Sequence, residues 1–186
     1  MKVKLNGVRI AYTESLWEAK EFKEGDGKPR HSVTVLIEPG SANDKAMETA
    51  IKCVAVEGFG AKAEAMLKSF RGNPQKFCYQ DGDTKAYDGF AGMKYAAAHR
   101  RAKDGKPRIV DTDGKTPIEQ ADGKIYGGCY ANVVVDLYAQ VRDNPGIRCS
   151  LLGVQFARDG DAFSGSRLGE DEFDDLTAGE EDPLFG

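Results

Sequence analysis

A chain of 186 residues with 40% hydrophobic content has room for one domain with a real core, and not for two comfortable ones. No run of about 18 apolar residues occurs, which excludes a helical membrane span, and Met1-Lys2-Val3-Lys4-Leu5 lacks the apolar block of a signal peptide. The formal net charge of -4 would argue against a nucleic-acid partner, but it sums two unlike parts. After Gly169 come Glu170, Asp171, Glu172, Asp174, Asp175, Glu180, Glu181 and Asp182, with no Lys or Arg. Without those eight acids, 22 acidic residues face the 26 Lys and Arg, leaving a body of net +4. Such asymmetry marks a basic body with an acidic tail.

Val3 to Tyr12 holds β-formers and leads through Ser15-Leu16-Trp17 into a polar stretch. Glu24 to Pro29 is a loop by composition. From His31 to Ile37, Val33, Val35 and Ile37 alternate with Ser32 and Thr34, the pattern of a strand, which Pro39-Gly40 stops. Ser41 to Val56 is expected as a helix. Ser41 and Asp44 have capping-box spacing, Met47, Ala50, Ile51 and Val54 form one stripe, and Gly58-Phe59-Gly60 is expected to break it. Ala61 to Phe70 predicts a second, shorter helix.

Residues 71–91 are rich in Gly, Asp, Asn and Pro, with Phe77, Tyr79, Tyr87 and Phe90 interspersed. A strand is predicted over 92–98, followed by a basic loop with Arg100, Arg101, Lys103, Lys106 and Arg108. The two clearest strands are 125–140 and 147–157. The short link Arg142-Asp143-Asn144-Pro145-Gly146 predicts an antiparallel hairpin. Several long strands, inserted helices and no regular βα alternation predict a mainly β, α+β fold or a decorated small barrel. The boundaries expected are 1–168 for the folded domain and 169–186 for a tail too acidic and too poor in apolar residues to fold. Cys53, Cys78, Cys129 and Cys149 are dispersed without a CxxC pair, and His31 and His99 lie far apart. These predict core thiols and no metal site.

In the 125–140 strand, the odd positions Ile125, Cys129, Ala131, Val133, Val135, Leu137 and Ala139 are small or apolar. Even positions carry Tyr126, Tyr130, Asn132, Asp136, Tyr138 and Gln140, with Val134 as the exception. Alternation then puts a core on one face and tyrosines among polar groups on the other. A ring of this kind stacks on any base, at about 1–3 kcal/mol each, and neighbouring cations neutralise phosphates. The stacking candidates are Tyr126, Tyr130 and Tyr138, with Trp17, Tyr79, Tyr87 and Tyr95 off the strand. The candidate cations are Arg100, Arg101, Lys103 and Lys106. The opposing reading makes each tyrosine a half-buried side chain with a wet hydroxyl, and Gly127-Gly128 a barrel bend.

Ile125-Tyr126-Gly127-Gly128-Cys129-Tyr130, Gly146 to Phe156 and the Arg158-Asp159-Gly160 turn resemble a bacteriophage family of single-stranded DNA-binding proteins. Tyr87 to Tyr95 and Arg108-Ile109-Val110-Asp111 look like its middle region. The likeness spans most of 30–168. It implies an OB-type β-barrel of the helix-destabilising kind, covering single-stranded DNA during phage replication, recombination or repair, in the cytoplasm of the infected bacterial host. It also implies an acidic tail that regulates DNA access and binds replication or recombination proteins. Here that tail would use Asp174, Asp175, Glu180, Glu181, Asp182 and Phe185, and Gly186 departs from the pattern by following the aromatic. OB barrels usually place their helix between the third and fourth strands, so a helix at 41–56 requires three strands before it or a modified branch.

A monomer or homodimer without cofactor, metal or catalytic residues is expected. A Mg²⁺-dependent nuclease using Asp81/Asp83, Asp111/Asp113 or Asp159/Asp161 is the alternative from another class, but Asp is common in Gly-containing turns for geometric reasons. An RNA-binding module is a second alternative, since stacking tolerates both nucleic acids. A third, an acidic adaptor, is disfavoured by the basic body.

Overall fold

In the computed structural model, which describes residues 1–163, the expected strands form as β1 (Lys2–Ala11), β2 (Arg30–Ile37), β4 (Lys94–Arg101), β6 (Tyr130–Gln140) and β7 (Gly146–Arg158). Two three-residue strands, β3 (Tyr79–Asp81) and β5 (Arg108–Val110), join the edges. β1 pairs antiparallel with β2 and β6, β2 with β4, and β6 with β7. A parallel bridge from His99 of β4 to Ser150 of β7 closes the ring. Counting only ring strands in chain order, the neighbours run one-two-three-five-four and back to one, which is the OB arrangement. No described helix is long and apolar enough to cross a membrane.

The barrel interior is filled by alternate residues of these strands. Leu5, Ile10, Val35, Ile37, Ala98, Val133, Val135, Leu137, Ile147 and Leu151 are essentially sealed from solvent. The odd positions of β6 behave as alternation requires, and Cys78, Cys129 and Cys149 are core thiols as expected, whereas Cys53 is exposed. At the β6–β7 hairpin, Asp143 and Asn144 both take positive φ, the backbone that matches the twist of two antiparallel strands.

Only two ring strands precede the helix α1 (Ala42–Phe59), so it lies between the second and third rather than the third and fourth. Its stripe of Met47, Ala50, Ile51 and Val54 joins the barrel core, and Ser41 caps it, its hydroxyl accepting from the Asp44 N–H at 3.2 Å. Gly58 does not break the helix as its sequence context suggests. A Cβ there would lie 2.5 Å from Ala139 Cβ, so this glycine lets α1 approach β6 closely, and the helix ends at Gly60, with φ 54°. The shorter α2 (Ala63–Phe70) follows.

The strand expected from Ile125 begins at Tyr130. Residues 126–129 turn instead, with Cys129 N–H donating to Tyr126 O at 3.2 Å. Gly128 has φ 106° and packs its Cα against Asp161 O, a conformation and an approach that only glycine tolerates. The paired glycines thus make a bend, and Tyr126 and Tyr130 do not share one strand face. The tail residues Asp174, Asp175, Glu180, Glu181, Asp182 and Phe185 lie outside the described residues.

Candidate nucleic-acid interface

β2 and β4 pair in register with Arg30 opposite Arg101, Ser32 opposite His99, Thr34 opposite Ala97 and Leu36 opposite Tyr95. Directly opposed residues share a face. The intervening Val33, Val35, Ala96 and Ala98 belong to the barrel core, so these four pairs form the outer face. Its centre, Ser32, Thr34 and Ala97, carries only small side chains, which leaves a shallow floor flanked by larger groups.

At one end lies an aromatic cluster. Leu36, Phe90, Tyr95, Ala11 and Phe163 form a second apolar core outside the barrel. Above it stand Tyr12, 44% exposed, and Tyr87, 58% exposed, with ring centroids 5.8 Å apart and nearly perpendicular planes. Tyr12 sits just after β1 in the left-handed region, φ 55°, an uncommon backbone for a bulky residue. Burial and the adjacent Tyr87 hydroxyl push its phenol above its usual range. Lys85 Nζ lies 5.9 Å from the Tyr87 centroid and 5.7 Å from that of Tyr95.

At the other end, about 13–20 Å further along β4 by strand geometry, Phe22 projects from the β1–β2 loop. It is 59% exposed, with its ring 4.9 Å from that of His99 and the Arg30 guanidinium 5.7 Å from its centroid. Arg101 pairs with Asp104 at 3.0 Å. His99 Nδ1 is buried with no hydrogen-bond partner among the described residues. Desolvation, with Arg30 and Arg148 nearby, pushes its pKa down to about 4, so the imidazole is neutral at physiological pH.

This face assembles Tyr87, Tyr95 and Arg101 from the sequence-derived candidates, with Tyr95 as buried floor rather than a free ring. Several other candidates are corrected by burial or by partners. Tyr79 is buried against α1, its hydroxyl donating to Asp44 at 2.8 Å. Asp44 also accepts from Lys94 at 2.9 Å and Gly40 N–H at 2.8 Å. Burial raises the Asp44 carboxyl, but these donors outweigh it and hold it below the usual range. Tyr126 is buried, its hydroxyl donating to Asp159 at 2.9 Å. Neither ring is open to a base.

Tyr130 does face outward from β6, but the Arg158 guanidinium covers it 3.5 Å from the centroid and Arg9 lies at 5.7 Å. Arg9 also stacks on Phe163 at 4.4 Å and donates to Gly128 O and Asp161 O. This strap, completed by Phe163 N–H donating to Gly127 O at 3.0 Å, carries the chain beyond β7 back to the outer aromatic cluster. Tyr138 is exposed but lies opposite Arg148 on the β6–β7 wall, two strands round the barrel from β4. Arg100 turns back onto the carbonyls of Gly105 and Asp104, while Lys103 and Lys106 are exposed in the turn after β4. Trp17 is partly buried against the core, its Nε1–H donating to Ile118 O at 3.3 Å.

Sequence reading missed Tyr12, Phe22, Arg30 and Lys85. Arg30 had a signal: it continues the Ser32–Thr34 polar face of β2 at period two. Tyr12 and Phe22 had none, because loop residues carry no periodicity. The acid pairs at 81/83 and 111/113 serve turns: Asp81 accepts from Asp83 N–H, and Asp113 accepts from the Thr116 hydroxyl and from Thr116 and Lys115 N–H, which draw its carboxyl down to about 2.

A closed OB-type barrel whose outer face carries exposed rings and cations is the architecture of a single-strand nucleic-acid binder. The family model for the ssDNA-binding protein of Enterobacter phage Enc34 matches residues 1–184, and the chain belongs to that family of phage single-stranded DNA-binding proteins. Protein p50 of Acyrthosiphon pisum secondary endosymbiont phage 1 is 40% identical over 189 residues, covering 100% of this chain and 99% of p50. The fold is also that of the Enc34 single-stranded DNA-binding protein in complex with ssDNA, with TM-score 0.69, 21% identity, and 87% and 88% of the two chains covered. The single-stranded DNA-binding protein gp2.5 of bacteriophage T7 matches with TM-score 0.55 and 15% identity over 100% and 98%. At these identities the structural likeness is one of fold.

Proposed function

We propose that this protein binds single-stranded DNA with little sequence preference and covers it during phage DNA replication, recombination or repair, in the cytoplasm of the infected host and without catalysing a reaction. The observation that carries this reading is the β2–β4 outer face. Tyr12 and Tyr87 offer rings to one part of a strand and Phe22 to another, while the small floor between them admits the backbone. Lys85, Arg30 and Arg101 stand where phosphates would lie. Stacking is indifferent to base identity, and family membership supports the same conclusion. The acidic tail regulates access to this face and recruits replication or recombination proteins, with Phe185 as its anchor.

Oligo-dT binding followed by anisotropy tests the reading. Affinity for the single strand is expected to exceed that for duplex greatly and to fall with salt at a slope of about -0.7 per phosphate contacted. Equal affinity for both forms overturns it. Removing residues 170–186 is expected to tighten binding, and unchanged affinity overturns the tail's part. Tighter binding to oligo-U than to oligo-dT would move the assignment to RNA, and Mg²⁺-dependent cleavage of the strand would make the protein a nuclease.

A further inference from the structure

We propose that the DNA path does not end at Arg101 but continues along the basic turn into a cleft beside Trp17 that holds one unstacked nucleobase. This rests on the single-stranded DNA reading above. Beyond β4 the chain runs through Ala102–Asp104, where Ala102 N–H donates to Pro29 O at 3.0 Å, to Lys106, Pro107 and β5. There a cleft of about 290 Å³ opens among Trp17, Pro107, Ile118, Lys106, Arg108 and Glu119. Its size is near the lower end for small-molecule sites, roughly 300 Å³, and suits a single base rather than a peptide.

Three features choose the occupant. The lining combines the partly buried Trp17 with the buried Pro107 and Ile118, and the indole is a ring on which any base can stack. The indole is fixed at its edge by the Ile118 carbonyl, so little ordering is needed on binding. Lys106 and Arg108 are exposed at the rim, Arg108 with one guanidinium nitrogen donating to Gly114 O at 3.3 Å, so two cations stand beside the flanking phosphates, and the basic turn leads to the site from the β2–β4 face. Glu119 opposes them and repels phosphate from its own side, which points the base, not the backbone, into the cleft.

Trp17 is the chain's single tryptophan, so its emission reports this site alone. The experiment titrates full-length protein with fluorescently labelled oligo-dT of about 4 and about 16 nucleotides, the range of site sizes for one OB fold. Anisotropy and tryptophan emission are followed together. Saturating long oligonucleotide is expected to quench about half or more of the emission through base stacking, and the short one much less. A long oligonucleotide with abasic residues interspersed is expected to bind while losing most of the quench. The double variant Lys106→Ala/Arg108→Ala is expected to weaken the long oligonucleotide about tenfold and to leave the short one within about twofold. Anisotropy that saturates without quenching, or an equal quench by the abasic strand, overturns the proposal and leaves the DNA reading standing. Absence of any anisotropy change overturns the DNA reading, and the proposal with it.

Discussion

The outer wall of β6 and the outer face of β2–β4 are the two surfaces of this barrel with aromatic character, and they use it in opposite ways. On and before β6, Tyr126 is partnered by Asp159 and Tyr130 is covered by Arg158 at 3.5 Å, while Tyr138, further along the strand, stays exposed. On β2–β4 the strands themselves contribute small side chains, and the open rings come from neighbouring loops, Tyr12, Phe22 and Tyr87. A ring covered by its own protein's guanidinium has spent the face a base would use. Aromatic content along a strand is therefore a weaker guide to binding than whether each ring's π-face is occupied in the folded chain.

The comparison breaks most visibly at the loops. Replacing Tyr12 and Tyr87 together by alanine is expected to lower single-stranded DNA affinity about 10- to 100-fold, since each stacked base contributes about 1–3 kcal/mol. Anisotropy measures the loss, and circular dichroism should show an unchanged fold. Affinity within about twofold of the parent would remove these rings from the binding face.

Tyr130→Ala should do the reverse. Losing the Arg158 and Arg9 stacking is expected to cost about 1–3 kcal/mol of stability, read by denaturant titration, while the folded variant keeps its DNA affinity. If stability holds and affinity collapses, β6 is a binding surface after all.

An effect confined to acid pH concerns His99, at the Phe22 end of the face. Its folded pKa of about 4 lies below the roughly 6.5 of an unfolded histidine. Between those values the unfolded chain takes up a proton that the folded chain refuses, so stability falls as pH drops from about 6.5 towards about 4. The variant His99→Gln should show a shallower loss across that window in thermal melts. A slope identical to the parent's would mean that His99 titrates normally in the folded protein.

Much of this protein was legible in its residue order. Period-two alternation located β2, β6 and β7, the Ser41 cap and the Met47–Val54 stripe located α1, and the charge count separated a basic body from its acidic end. Those signals are local, set by side-chain direction along one element. The motifs at Tyr126 to Tyr130 and Gly146 to Phe156 also carried the family likeness, and with it the barrel.

Tertiary structure decided what no single element contains. Gly58 reads as a helix breaker until α1 is laid against Ala139, and Tyr79 reads as a stacking ring until Asp44 of a distant helix accepts its hydrogen bond. Arg30 and Arg101, 71 positions apart in the chain, become neighbours only through the β2–β4 register. Accessibility is a property of what packs around a group, and that packing is long-range. The sequence alone determined that a β-barrel with aromatic and basic residues would form; only the closed barrel decided which of those residues remain on its surface.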